Sequence, residues 1–361
     1  MGRYAELFDA LHMVVFSLRS HNLSYEKASP QLHFHPTHTP LRTLHVPVAF
    51  FVGRRILNAT HERKGWVITT QDPFEAGVVG WLLSVWYKIP LVVQEHGDVF
   101  STPHWRRESL LNRVRYVVGC FILKRADCVR VVSERSKRGL IALCIEEAKI
   151  SVLPVRTEVS SFARAVSDPD IRARWGKDTA IVLSMGRHVR QKNLPMLLDA
   201  FAAVHRTHPK THLVLVGHGP ESLKLQQRAT MLGLGDAVTF LPWTDTVAAL
   251  MKSADVYALS SNYEGWGRVL IEAMGAGVPS VTTDVGCVGE VFFDGRHGRV
   301  VPVGDVRAFA DALAELIADT SLRQEYGERA ARDVENVFMS EEEHTKGWGD
   351  ILMRCGREGV V

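Results

Sequence analysis

Twice along this chain, short runs of continuous apolar residues alternate with stretches of helical pattern, and one polar segment divides the two series. From about residue 65 the first series reads WVITTQ, FEAGVVGWLLSVWYK, LVVQEHG, a long basic stretch, CVRVVS, SERSKRGLIAL and ISVLPV. The second reads AIVLSMG, HLVLVGHG, AVTFL, DVYALS and PSVTT, with a helical pattern after each of the first four. A parallel strand with helices on both faces is apolar without alternation, so each series predicts a doubly wound, Rossmann-like α/β domain. The polar, proline-bearing SSFARAVSDPDIRARWGKD between them reads as a linker. The expected organisation is an N-terminal, acceptor-side domain over 1–156, a linker over 157–178 and a second domain over 179–335. A C-terminal helix over 336–361 is a candidate to return to the first domain. Two such domains are expected to face each other across a cleft.

The 361 residues, 46% hydrophobic and 23% charged, allow each domain a core of its own. The longest apolar runs fall short of the roughly 20 residues a bilayer span needs. Five scattered cysteines without a CxxC pair suit reduced thiols and argue against a disulfide framework or a zinc site. No secretory signal is visible, so the expected location is the cytoplasm. The total charge of +3 hides a local excess: residues 104–138 hold ten Lys/Arg against three acids. With Trp105, Leu110, Leu111 and Val114 as an apolar edge, this stretch is a candidate for an anionic membrane surface on the inner face of the plasma membrane. Sparse aromatic interleaving argues against nucleic acid.

Three loops in the second series could carry chemistry. SMGRHVRQKN follows a strand and precedes a helix, placing Gly186, Arg187 and Lys192 at the carboxyl edge of the sheet, where open α/β sheets bind ligands. A guanidinium fork and an ammonium suit a diphosphate, although alone they could be two solvated cations. VGHGPES puts Gly217 and Gly219 at the next such turn, where a ligand could approach the backbone closely. EGWGRVLIE places Glu264 on a loop, Gly265, Trp266 and Gly267 before a helix, and Glu272 about one turn into it. Helix N-termini of this kind attract phosphates, and carboxylates accept hydrogen bonds from sugar hydroxyls. The ordinary reading of that pair is a capping acid and an exposed helix glutamate. In the first series His96 and Gly97 end one strand, and Asp72 ends the strand before it. The histidines His33, His35 and His38 lack a nearby carboxylate, so no metal site is expected.

Together these residues resemble the retaining glycosyltransferases of the GT-B fold, specifically glycosyl transferase family 4, or group 1. The likeness runs from about residue 65 to 335 and is most specific over GRHVRQKN, VGHGP and EGWGRVLIEAMGAGVPSVTTDVGCVGE. It implies that Glu264 and Glu272 form the family's E-x7-E motif, with Glu264 near the reacting end of the donor sugar and Glu272 on the nucleotide ribose. It likewise implies a diphosphate clamp of Arg187 and Lys192, a sugar-contacting His96, and a loop carrying Glu290 that closes over the sugar. The implied reaction moves a sugar from a nucleoside diphosphate sugar to a hydroxyl of a lipid-linked or saccharide acceptor, with retention and without a metal or other cofactor. A related nucleotide-sugar epimerase and a catalytically inactive sugar-nucleotide-binding protein remain as alternatives. Domains of this family open with a strand and a glycine-rich loop, whereas here Gly2 to Leu11 reads as a helix and His12 to Leu18 as the next strand. The expectation is therefore an N-terminal domain without its first strand, in a record that begins downstream of the true start.

Overall fold

The computed structural model describes residues 7–358 apart from 22, 24, 25, 28, 61–63, 168, 177 and 338. It divides into two compact units, Met1–Pro154 with Ser340–Val361, and Val155–Met339.

The second unit is built on one six-stranded parallel sheet, ordered β10-β9-β8-β11-β12-β13. Its strands are β8 (Ala180–Met185), β9 (Thr211–Val216), β10 (Val238–Leu241), β11 (Val256–Leu259), β12 (Ser280–Thr283) and β13 (Gly298–Val301). The central strands are buried almost throughout, which is why they read as unbroken apolar runs. The helix Leu194–Thr207 starts with a proline in its first turn and buries Leu194, Leu197, Leu198, Phe201 and Val204 against this sheet. That spacing is one helical face. The helix Val306–Ala318 adds Phe309, Leu313 and Leu316 to the same core.

The segment read as a linker is folded into this unit. Helices Ser160–Ala163 and Pro169–Trp175 lie within it. Arg172 holds Asp255 with two hydrogen bonds of 2.8 and 2.9 Å, and Asp255 also accepts the Ile181 N–H at 2.7 Å. A polar stretch looks like a linker when the partner of its arginine stands 83 positions away.

The first unit has two sheets. One is parallel, ordered β4 (Ile68–Thr70), β5 (Leu91–Glu95), β6 (Cys128–Val131), β7 (Ile150–Val152). The other is ordered β1 (Leu11–Val15), β3 (Leu32–Pro36), β2 (Glu26–Lys27). Among the described residues no strand pairing joins β1 to β4. The helices His45–Ala59 and Glu75–Tyr87 share a core of Ala49, Leu57, Val79, Leu83 and Ile89, against which Val14 and Ile68 pack. The helix Glu341–Glu358 belongs to this unit: His344 lies 2.9 Å from the Pro154 carbonyl and Arg354 donates to Ser151 at 2.6 Å.

The helix expected over residues 2–11 is corrected where it can be seen. Residues 2–6 lie outside the described residues, Leu7–Asp9 form a turn and bend, and β1 starts at Leu11. Pairing takes Leu11 into the sheet, its N–H bonded to the Gln31 carbonyl at 2.7 Å. The histidine-rich run forms β3, where His33 and His35 stack on His12 at 4.7 and 5.2 Å between ring centroids. His38 sits in the turn beyond with φ of 49°.

Candidate active site

In the second unit, the loops leaving β8, β9, β11 and β12 bring together most of the residues singled out in the sequence. Two of these turns touch backbone to backbone. Gly217 has φ of +134°, and a Cβ there would stand 2.0 Å from the Gly186 carbonyl oxygen. No other residue fits both that conformation and that distance. A Cβ on Gly219 would stand 2.3 Å from the carbonyl oxygen of His188, whose N–H bonds to the His218 carbonyl at 3.1 Å. Ser222 ties the corner by accepting the Gly219 N–H at 3.0 Å and meeting His188 Nδ1 at 2.9 Å.

Arg187 projects from this corner. It is exposed, and its guanidinium makes no hydrogen bond or ion pair among the described residues. Lys192 is held differently. Its Nζ lies 2.6 Å from Glu264 Oε1 in a pair whose side chains are only 15% and 10% exposed. The same carboxylate accepts Ser261 Oγ at 2.6 Å and Gln191 Nε2 at 3.4 Å. The two loops are stitched further by Asn262 N–H to the Gln191 carbonyl at 2.8 Å and Ser260 Oγ to the Lys192 carbonyl at 2.8 Å. A small pocket lined by Gly186, Arg187, His188, Lys192, Val216 and Ser260 opens at these strand ends.

The helix Arg268–Gly275 starts beside them. Gly267, at φ of 77°, precedes it without a side-chain cap, and the N–H groups of Gly265 and Gly267 have no acceptor among the described residues. Unfilled donors at a helix start form a ready seat for an anion. Glu272, one turn in, is buried and receives Arg268 Nη2 at 3.3 Å. Burial raises its pKa, and the positive charge of Arg268 opposes the rise. Trp266 is buried as well, its carbonyl accepting the Cys287 N–H at 2.9 Å. This bond anchors the next loop, in which Glu290 is half-buried and gives its N–H to the Cys287 carbonyl at 3.1 Å.

His96 lies in the first unit, just past β5. It is exposed as a residue, yet the protein around it partly desolvates the imidazole. That desolvation, with the guanidinium of Arg130 at 3.4 Å from Nδ1, presses its pKa down to about 4. The ring is therefore neutral at pH 7. Arg130 is buried, donating to the Leu153 carbonyl at 2.6 and 3.0 Å and to Gln94 Oε1 at 3.1 Å. In the sequence it counted toward the surface charge of 104–138; the structure turns it inward. Before His96 stands Glu95, whose Oε1 accepts the N–H groups of Gly97 at 2.9 Å and Val99 at 3.3 Å. Its Oε2 is buried without a partner among the described residues. Burial, and then the charge of Asp98, push this carboxyl up to about 7. Asp72, expected to end its strand, lies two residues past β4, where its carboxylate accepts the Phe74 N–H at 2.8 Å.

Sequence reasoning missed Gln191, Ser261 and Asn262, which hold Lys192 and Glu264 in place, and Glu95 and Arg130, the one preceding His96 in the chain and the other 3.4 Å from its ring. Polar residues in the same two loops were a signal for the first three. For a buried arginine the signal was its position inside an apolar strand.

Comparison with known proteins bears on the family and the fold. Residues 167–333 match the family model of glycosyl transferases group 1, and residues 3–156 match that of the glycosyl transferase 4-like domain. The lipopolysaccharide core biosynthesis glycosyltransferase LpsE of Rhizobium meliloti (strain 1021) is 35% identical over 166 residues, 45% of this chain and 47% of that protein. The phosphatidyl-myo-inositol mannosyltransferase of Mycobacterium leprae (strain TN) is 40% identical over 163 residues, 44% of this chain and 43% of that protein. The aligned part thus spans less than half the length of either relative. The crystal structure of Anabaena Alr3699/HepE in complex with UDP-glucose superposes with a TM-score of 0.71 at 24% identity, covering 88% of this chain and 84% of that one. With both family models matched in succession and the fold shared, the chain belongs to the group 1 glycosyl transferases and has the GT-B fold.

Proposed function

We propose that this protein transfers a sugar from a nucleoside diphosphate sugar to an acceptor hydroxyl with retention of configuration, in the synthesis of a cell-envelope glycan or glycolipid. The observation that carries this reading is the convergence, at the carboxyl ends of neighbouring parallel strands, of one ammonium, two buried carboxylates and, without partners among the described residues, one guanidinium and helix N–H groups. Breaking a glycosidic bond to a diphosphate places growing negative charge on the leaving oxygen. Arg187, Lys192 and the N–H groups at Gly265 and Gly267 supply fixed positive partners for that charge. Glu264 keeps Lys192 aimed and presents its second oxygen toward the donor sugar. Glu272, desolvated in the helix, accepts hydrogen bonds from the ribose hydroxyls. Gly186, Gly217, Gly219 and Trp266 shape the walls, and Glu290 rides on the loop that covers the sugar. His96, neutral at pH 7, can donate or accept a hydrogen bond at a sugar hydroxyl without adding charge. The scheme assigns every charge to protein groups and uses no metal ion.

The relatives named for lipopolysaccharide core and phosphatidyl-myo-inositol chemistry support an envelope acceptor, and the UDP-glucose complex supports a nucleotide-sugar donor. Thermal-shift titration with UDP-, GDP- and ADP-sugars tests the donor site directly. One series should raise Tm in a saturable way, and Arg187→Ala should abolish the shift. No shift with any donor would remove the reading. Donor turnover then separates a transferase from an inactive binding protein, and product analysis separates it from an epimerase.

A further inference from the structure

On the helix Leu110–Arg125, Leu110, Val114, Val117 and Phe121 recur at i, i+4, i+7 and i+11 and so share one face. All four are exposed, between 39% and 75%, while the opposite face buries Gly119, Ile122 and Leu123. At about 100° per residue, Arg113 and Lys124 fall on one flank of this stripe and Arg125 on the other. The Arg125 guanidinium lies 3.6 Å over the Phe121 ring. The stripe continues through Trp81, edge-on to Phe121 at 5.0 Å, onto the helix Glu75–Tyr87, where Leu82, Val85 and Trp86 are exposed. Trp86 in turn carries Arg54 at 5.0 Å, on the helix His45–Ala59 that also exposes Phe51.

Charge decides what such a face fits. These three helices contain six Arg/Lys and a single acid, Glu75, which Arg115 already holds at 2.5 Å. Contiguous apolar surface of this kind marks an interaction site. Cations on both flanks of the stripe, with no free acid on these helices, call for a partner that is apolar within and negative all around. A bilayer of anionic lipid has that profile, with phosphates at the level of the cations and acyl chains below. We propose that this face docks on an anionic membrane surface, the stripe entering the headgroup boundary and Arg113, Lys124 and Arg125 meeting lipid phosphates. The surface keeps Leu110, Val114, Arg113, Lys124 and Arg125 of the stretch 104–138 expected from sequence, extends it onto two further helices, and leaves other parts of that stretch out. Trp105 is stacked on Phe74 at 4.8 Å, Arg130 is buried, and Lys137 pairs with Glu147 at 2.8 Å. No helix among the described residues is long and apolar enough to cross a membrane.

Flotation of the full chain with vesicles tests this. Recovery should be high with phosphatidylcholine plus phosphatidylglycerol, low with phosphatidylcholine alone, and should fall steeply as salt is raised. Val114→Glu with Val117→Glu should weaken binding about tenfold or more, since two apolar anchors are lost. Arg113→Gln and Lys124→Gln should each weaken it about fivefold. All four positions are exposed, so Tm and circular dichroism should match wild type and exclude misfolding. Equal recovery with both vesicle types, or anionic binding that ignores the two glutamates, would overturn the proposal. So would sedimentation showing a dimer that Val117→Glu dissociates, with no flotation at all.

Discussion

The second unit keeps six strands in one parallel sheet and concentrates its polar chemistry at one edge of it, where loops hold one another at backbone distance. The first unit has two smaller sheets, a neutral histidine at a strand end, and apolar side chains on the outer faces of its helices. Both are α/β folds, so fold class does not separate them. The difference lies in what stands out at the sheet edge of the one and on the outer helix faces of the other. In the second unit it is a guanidinium and helix N–H groups, which need an anion. In the first it is aliphatic and aromatic side chains, which need an apolar partner.

The strongest way to break this contrast is to remove the cations. Arg187→Ala and Lys192→Ala should each lower transfer by about 10²-fold or more, because developing charge on the diphosphate loses a preorganised partner. The two should differ in stability. Arg187 has no partner among the described residues to lose, so the Tm of its variant should stay at the wild-type value. Lys192→Ala leaves Glu264 in a mostly buried site without its counter-charge, a change that costs about 3 kcal/mol or more in comparable pairs. Activity within a few-fold of wild type in both variants would sink the assignment.

Next in size is the contact between the glycine turns. Gly217→Ala should destabilise by about 3 kcal/mol or more, since a methyl group 2.0 Å from the Gly186 carbonyl forces the two loops apart. Gly233, at φ of +72° with open space around its Cβ position, should lose only about 1 kcal/mol as alanine. Equal shifts in thermal melts would mean that backbone conformation, and not the close approach, governs this corner.

Much of this edge was legible because its signals are local. β8, β9 and β11 are buried nearly end to end, so their apolar runs could be read without knowing their partners. Gly186, Arg187, Lys192, Glu264 and Glu272 stand out as glycines and charges at the ends of those runs. What escaped was set by distance along the chain. Lys192 and Glu264 are 72 positions apart, and neither residue announces the other. β13 begins with glycine and arginine, so it lacked the apolar signature of its neighbours. β3 went unread as a strand because its histidines, at alternate positions, hide the apolar pattern. Arg130 counted as surface charge because burial of an arginine depends on carbonyls supplied by Leu153, beyond its own strand.

The two glutamates sharpen the comparison within the second unit. Glu272→Ala should raise the donor KM by about tenfold with little change in kcat, because a ribose contact serves ground and transition states alike. Glu264→Ala should instead lower kcat, through loss of the group that aims Lys192. Steady-state kinetics on both variants would refute the division of roles if each changed KM alone.

The smallest effect concerns the two neighbouring groups after β5, which titrate in opposite senses. His96 has its folded pKa near 4, below its ordinary 6.5, so the unfolded chain takes up this proton first as pH falls. Its contribution to stability is intact above about pH 6.5 and is lost as pH drops toward 4. Glu95, raised from 4.5 to about 7, acts the other way: the unfolded chain gives up its proton first, so stability is lost as pH rises from 4.5 toward 7. NMR should therefore show the His96 ring signals constant from pH 8 down to about 5.5, while the Glu95 carboxyl shift moves near neutrality. Arg130→Gln should raise the His96 pKa only part of the way to 6.5, because desolvation is the larger cause and the guanidinium the smaller. A wild-type His96 that titrates near 6.5 would show that its ring is not desolvated. The first unit would then offer a sugar hydroxyl a cation below neutral pH, and its contrast with the charged edge of the second unit would fail.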